Sequence, residues 1–267
     1  MKNKKLLTVI LISVMIIISA MILSACSGQT GGKAFSQTIS GEEPRIWFEC
    51  QNKIEESEPE STADYIFEDT EEPESAAASF GRETRVIWIK VFKDGKLSSY
   101  SCLDNVNLGH FSKMTDEEIL KELETETYLC GQKDQPYEIY LYTDAAGQEV
   151  VFEGVPSLIR QESDADPMYF MALMSKDPMP AFQVYDSYYG GYVLYNYDEG
   201  MLKESCCVTR CAKGESFALD NMDLENAVLD YKTPEEMLHE KNAEIKKSDQ
   251  SSKKTETKES EETNTEG

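Results

Sequence analysis

An α+β protein built mainly from antiparallel hairpins, with two short capped helices, is predicted by three observations on this 267-residue chain. Turn pairs and glycines separate runs rich in β-branched and aromatic residues, as at Asp94-Gly95 and Asp144-Ala145-Ala146-Gly147. Two passages carry helix-start chemistry, at Thr115 to Glu118 and at Thr233 to Glu236. The repeated strand-helix-strand alternation of a two-lobed α/β protein is missing.

Taken in order, Pro44 to Cys50 reads as the first strand, with Ile46 and Phe48 opposite Trp47. Thr84 to Phe92 and Lys96 to Cys102 flank Asp94-Gly95, two residues that tolerate the positive φ of a tight hairpin turn. Thr115 and Glu118 make a capping box, Met114 and Ile119 can close a staple, and Ile119, Leu120 and Leu123 give a short apolar face. Tyr137 to Thr143 and Gln148 to Glu153 form a second hairpin. A third joins Ala181–Asp186 to Tyr192–Tyr197 around Tyr188-Tyr189-Gly190-Gly191. Arg160 to Pro167 reads as loop, and Met168 to Met174 as either strand or buried helix, because short apolar runs do not discriminate. Asp198-Glu199-Gly200 turns the chain into a strand through Cys211, and Thr233-Pro234-Glu235-Glu236 opens the second helix.

Composition divides the chain further. Residues 26–42 have the Ser, Gly, Gln and Thr content of a flexible tether, and fifteen such residues reach roughly 20 Å. Residues 51–79 hold ten acids and one lysine and read as an acidic loop, and residues 241–267 as a disordered tail. The β-rich domain thus spans 43–240. Within it Leu103-Asp104-Asn105 leads into Thr115-Asp116-Glu117-Glu118, and Leu219-Asp220-Asn221 leads into Thr233-Pro234-Glu235-Glu236. The parallel suggests two related units, 43–129 and 137–240, sharing one core.

The first 25 residues have their own logic. Met1 to Lys5 carries three lysines, Leu6 to Ile22 is apolar or small, and Leu23-Ser24-Ala25-Cys26 follows. A charged start, an apolar stretch short for a membrane span and small residues at the cut describe an export signal. Leu23-Ser24-Ala25-Cys26 resembles the lipobox of bacterial lipoproteins. The resemblance covers about a tenth of the chain and implies that residues 1–25 are removed, that Cys26 is diacylated and that the domain is held on the outer face of a cell membrane. Two long acyl chains suffice for stable anchoring, since each buried methylene contributes about 0.8 kcal/mol.

Charge narrows the partners. The net charge of −24 becomes more negative once Lys2, Lys4 and Lys5 are removed, and no basic stripe exists, which excludes nucleic acid. No metal ligand set or cofactor motif is identified. The metal reading of Cys206-Cys207-Val208-Thr209-Arg210-Cys211 lacks a paired CxxC and nearby histidines. After Cys26, the six cysteines Cys50, Cys102, Cys130, Cys206, Cys207 and Cys211 are disulfide candidates for an exported protein, in any of fifteen connectivities.

No catalytic residue is selected. His110 and His239 are the only histidines, no Gly-x-Ser-x-Gly elbow occurs, and any two of fifty acids can be paired on paper. Tyr185, Tyr188, Tyr189, Tyr192, Tyr195 and Tyr197 fall within thirteen residues, and tyrosine's apolar body and polar tip suit glycan or peptide recognition. The expectation is a surface-tethered binding or envelope-interaction module whose ligand is a glycan, a peptide or an envelope protein. The alternative is a membrane-attached hydrolase of cell-wall or other polysaccharide using two carboxylates. A transporter's solute-binding lipoprotein fits the element order poorly.

Overall fold

The computed structural model describes residues 32–52, 80–196 and 200–229, with residues 236, 238–243 and 245. The export segment with Cys26, most of the acidic loop, Tyr197, the helix start at Thr233 and the end of the tail lie outside the described residues.

In chain order the elements are β1 (Lys33–Ala34), α1 (Phe35–Ile39), β2 (Arg45–Gln51), β3 (Arg85–Lys93), β4 (Lys96–Cys102), α2 (Leu108–Phe111), α3 (Asp116–Glu122), β5 (Tyr128–Pro136), β6 (Tyr140–Thr143), β7 (Val150–Gly154), β8 (Ser157–Ile159), β9 (Met168–Phe170), β10 (Leu173–Val184), β11 (Ser187–Asn196), β12 (Gly200–Cys211), β13 (Phe217–Ala218) and β14 (Val228–Leu229). The fold is mixed α+β and mostly strand, with few short helices. Ten strands form one sheet in the order β14-β6-β7-β10-β11-β12-β2-β3-β4-β5, in which only β14 and β6 run parallel. Two three-stranded meanders, β2-β3-β4 and β10-β11-β12, lie side by side and meet along the antiparallel pair β12–β2.

Local chemistry explains the hairpins and the helix start. Asp94 and Gly95 take φ of 49° and 68°, the left-handed pair that matches strand twist in a two-residue turn. At the β6–β7 turn Gly147 has φ of 66°, and the Asp144 carboxylate accepts the Gln148 N–H at 2.7 Å. These amides hold the Asp144 carboxyl below its ordinary range. At α3 the Thr115 hydroxyl accepts the Glu118 N–H at 3.2 Å, and the Glu118 carboxylate accepts the Thr115 N–H at 2.7 Å.

The two faces of the sheet carry different cores. On one, Phe48, Cys50, Ile89, Tyr189, Cys206 and Val208 are covered by Leu108 and Phe111 of α2 and by Ile119 and Leu123 around α3. On the other, Trp47, Phe92, Tyr192 and Cys207 gather Phe35 and Ile39 of α1, Leu141 of β6 and Phe217. Leu141 of β6 shares this core with Phe92 of β3 and Leu97 of β4, although β6 and β3 are far apart in sheet order. The sheet is therefore curled around this second core.

Two expectations are corrected, one open choice is decided and one strand is added. Residues 33–39 of the expected tether are folded: β1 pairs with β13, and Phe35, Thr38 and Ile39 are buried. Gly190 and Gly191 lie inside β11, and the turn is Tyr185-Asp186, with Val184 opposite Ser187 and Tyr185 at φ 52°. Met168 to Met174 holds β9 and the start of β10. Strand β5 went unforeseen, because its Gln, Lys, Asp and Pro content obscures a strand pattern at a sheet edge.

The glycines of β11 have a packing reason. A Cβ on Gly191 would sit 2.1 Å from the Cys207 carbonyl oxygen, and one on Gly190 2.7 Å from the Phe217 ring. Gly191→Ala must push β12 away, at a cost of roughly 1–3 kcal/mol or more. Chemical denaturation of that variant is the check, and an unchanged midpoint would contradict this close approach.

Candidate functional site

A concavity among the described residues lies where β2, β12 and the chain around β1 and α1 converge. It is a cleft of about 300 Å³. Lys33, Arg45 and Arg210 face it, with Asp116, Glu215 and Thr209. Three cations thus outnumber two carboxylates in a chain whose net charge is −24. The cations differ in role. Arg210 is a strut, donating to Asp116 at 2.6 Å and to the Met114 carbonyl at 2.5 Å, so it ties β12 to the start of α3. Lys33 pairs with Glu215 at 3.6 Å and is 46% exposed. Arg45, at the exposed start of β2, is the third.

Inside the curl lies a second polar grouping. Glu49 and Lys90 form an ion pair with side chains 1% and 7% exposed, and Lys90 also donates to the Val155 carbonyl at 3.4 Å. Phe35, Trp47, Phe92, Met174 and Cys207 surround the pair and leave a cavity of about 10 Å³, room for at most one water. Burial, then the nearby Glu49, push the Cys207 thiol well above its ordinary range, so it is a neutral packing group there.

Two more buried acids stand close by. The Glu153 carboxylate accepts the Asp220 N–H at 2.8 Å, and Asp220 accepts the Ser36 N–H at 2.8 Å. Burial, then the charge of Asp220, raise the Glu153 carboxyl well above 4.5, while the Asp220 amide opposes the shift. Asp220 is raised as well, by burial, against the two bonds from Ser36. The folded state therefore keeps protons that the unfolded chain releases. Their stabilisation is complete below the unfolded value near 4.5 and is lost as pH rises through the higher folded value. Urea unfolding from pH 4 to 8 should show a shallower decline for Glu153→Gln than for the parent. Parallel curves would contradict a neutral Glu153.

The tyrosines do not share one face. Tyr189 and Tyr192 are fully buried on opposite sides of β11: the Tyr189 hydroxyl accepts from Ser112 at 3.1 Å, and the Tyr192 hydroxyl donates to the Ala218 carbonyl at 2.8 Å. Burial raises the Tyr192 hydroxyl far above its ordinary range. Tyr195 stacks on Phe152 at 4.3 Å. Tyr185 and Tyr188 remain toward solvent beside Lys113 and Lys213, 4.8 and 6.0 Å from the ring centres. Residues three apart on a strand point to opposite sides, which the clustering in sequence conceals.

None of the six cysteines after Cys26 is bonded to another in the structure. Cys50, Cys206 and Cys207 are buried, Cys102 and Cys211 half-buried and Cys130 exposed. Burial pushes the Cys102 thiol up to about 12 and that of Cys211 up to about 11. His110 pairs with Glu122 at 2.7 Å on the surface near α3, away from the cleft, and His239 is exposed. The residues that line the cleft were not singled out in the sequence, because Lys33, Arg45 and Arg210 are brought together only by sheet pairing.

No family model, no curated protein and no solved structure matches this chain.

Proposed function

We propose that the chain is a lipid-anchored binding module displayed on the outer face of a cell membrane, and that its cleft takes an anionic group. Arg45 and Lys33 are the recognition residues, and Arg210 is the strut that shapes the floor between them. The observation that carries the reading is the local excess of cations in a strongly acidic protein. The protein's overall field repels anions, so only a pocket with close, directed donors can hold one. A carboxylate or phosphate suits a guanidinium fork best, and such groups occur on envelope glycans and peptides alike. The anchor reading rests on Leu23-Ser24-Ala25-Cys26.

Both acids facing the cleft are engaged, Asp116 with Arg210 at 2.6 Å and Glu215 with Lys33 at 3.6 Å. That supports charge-partner roles and gives the hydrolase reading no favoured pair of carboxyls.

Two measurements test the proposal. Cys26→Ala should abolish palmitate labelling and release the chain from membranes; continued labelling would refute the anchor. In thermal-shift titrations with inorganic phosphate, a dicarboxylate and acidic peptidoglycan fragments, at least one should stabilise the parent. Arg45→Ala should weaken that binding at least tenfold, the scale of one charge-assisted pair worth about 1.5–3 kcal/mol. Equal binding by the variant, or no shift from any probe, would end the cleft assignment.

A further inference from the structure

We infer that Cys50 and Cys206 are the two thiols this chain joins in a disulfide, and that Cys102, Cys130, Cys207 and Cys211 stay reduced. The ground is strand register. Cys50 of β2 stands directly opposite Cys206 of β12. Residues so opposed in an antiparallel pair have Cα atoms about 4.5 or 5.5 Å apart, inside the 4.4–6.8 Å that a disulfide spans. Both side chains point into the same core, between Phe48 and Val208 on one flank and Val86 on the other, and both are fully buried.

The same register disqualifies the other pairings. Cys207 is opposite Glu49 and faces the second core, so neither Cys50 nor the adjacent Cys206 can reach it. Cys102 is on β4, separated from β2 by β3, and two strand spacings are about 9.6 Å. Cys102 is opposite Tyr128 and Cys130 opposite Tyr100, which makes those two cysteines diagonal neighbours about 7–8 Å apart. Cys211 lies opposite Tyr188, four residues along β12 from Cys207 and about 13 Å away.

The bond would close the seam between the two meanders, the contact in the sheet made by strands most distant in sequence. It must form before burial is complete, because in the folded core both thiols are shielded from any oxidant. The step is an exchange. The Cys50 thiolate attacks one sulfur of a disulfide oxidant, a small-molecule disulfide or an extracytoplasmic thiol oxidoreductase, and expels one thiolate. The Cys206 thiolate then attacks the mixed disulfide and expels the second. The protein loses two protons and two electrons, and the oxidant becomes two thiols.

The test is a thiol map. The reduced full-length chain carrying Cys26→Ala is refolded with glutathione and glutathione disulfide, denatured in acid, alkylated without reductant and digested. Four alkylated cysteines and one peptide pair linking Cys50 to Cys206 are expected. Adding Cys50→Ser should leave all five remaining cysteines alkylated; the count is taken after denaturation, so the variant's stability does not enter it. The chain recovered from the membranes of cells that export it should give the same linkage. Any other linked pair, or alkylation of both Cys50 and Cys206 in either preparation, overturns the inference. Neither result depends on whether the cleft binds an anion.

Discussion

Replacing Lys90 with methionine should destabilise the protein by about 3–5 kcal/mol, the scale for stranding one member of a buried ion pair. Glu49 is 1% exposed and is enclosed by Phe35, Trp47, Phe92 and Met174, so without the ammonium its charge has no solvent to turn to. Methionine keeps the length of the side chain and removes the charge, so lost packing contributes little. Replacing both partners, Glu49→Gln with Lys90→Met, should recover most of the loss, because the pair as a unit returns little beyond its own desolvation. Guanidinium denaturation of the three proteins reads this out. Equal midpoints for the parent and Lys90→Met would show that the pair is solvated in solution. The pair also discriminates between registers. Glu49 is opposite Cys207 and Lys90 opposite Trp47, and a one-residue slip of either strand would turn a charge into the core lined by Phe48 and Ile89.

Phe35→Ala should cost about 3–5 kcal/mol, as for a buried aromatic ring. In a free tether the same change would cost nothing, so the measurement separates the two descriptions of residues 33–39. Phe35 is 2% exposed and packs edge-on to Trp47 at 5.3 Å, Phe92 at 5.8 Å and Tyr192 at 6.3 Å. Asp220 anchors the same turn by accepting the Ser36 N–H at 2.8 Å. A lowered midpoint with an unchanged denaturant slope is expected; no shift would return this segment to the tether.

Why residues 33–39 read as linker is instructive. Their neighbours are small and polar, and a single phenylalanine and isoleucine make no periodic pattern over so short a span. Burial of Phe35 is decided by a hollow lined by β2, β3 and β11, which no local window contains. The tyrosine cluster shows the opposite limit. Closeness in sequence is not closeness in space, because strand alternation sends Tyr189 and Tyr192 to different cores. Arg45 and Lys33 gave no signal at all, since isolated basic residues in an acidic chain read as ordinary surface.

What the amino-acid order determined by itself was short-range: the hairpins at Asp94-Gly95 and at Asp144 to Gly147, the capped start of α3 and the strand-dominated α+β class. Each rests on φ preferences or on hydrogen bonds spanning three to five residues, so a local window holds the whole cause. Only the tertiary structure decided that β12 lies against β2, that Cys50 meets Cys206, that Glu49 meets Lys90 inside the curl, and that Lys33, Arg45 and Arg210 share a cleft. Those meetings depend on which apolar faces bury each other across long stretches of chain, and that choice is made by the sheet as a whole.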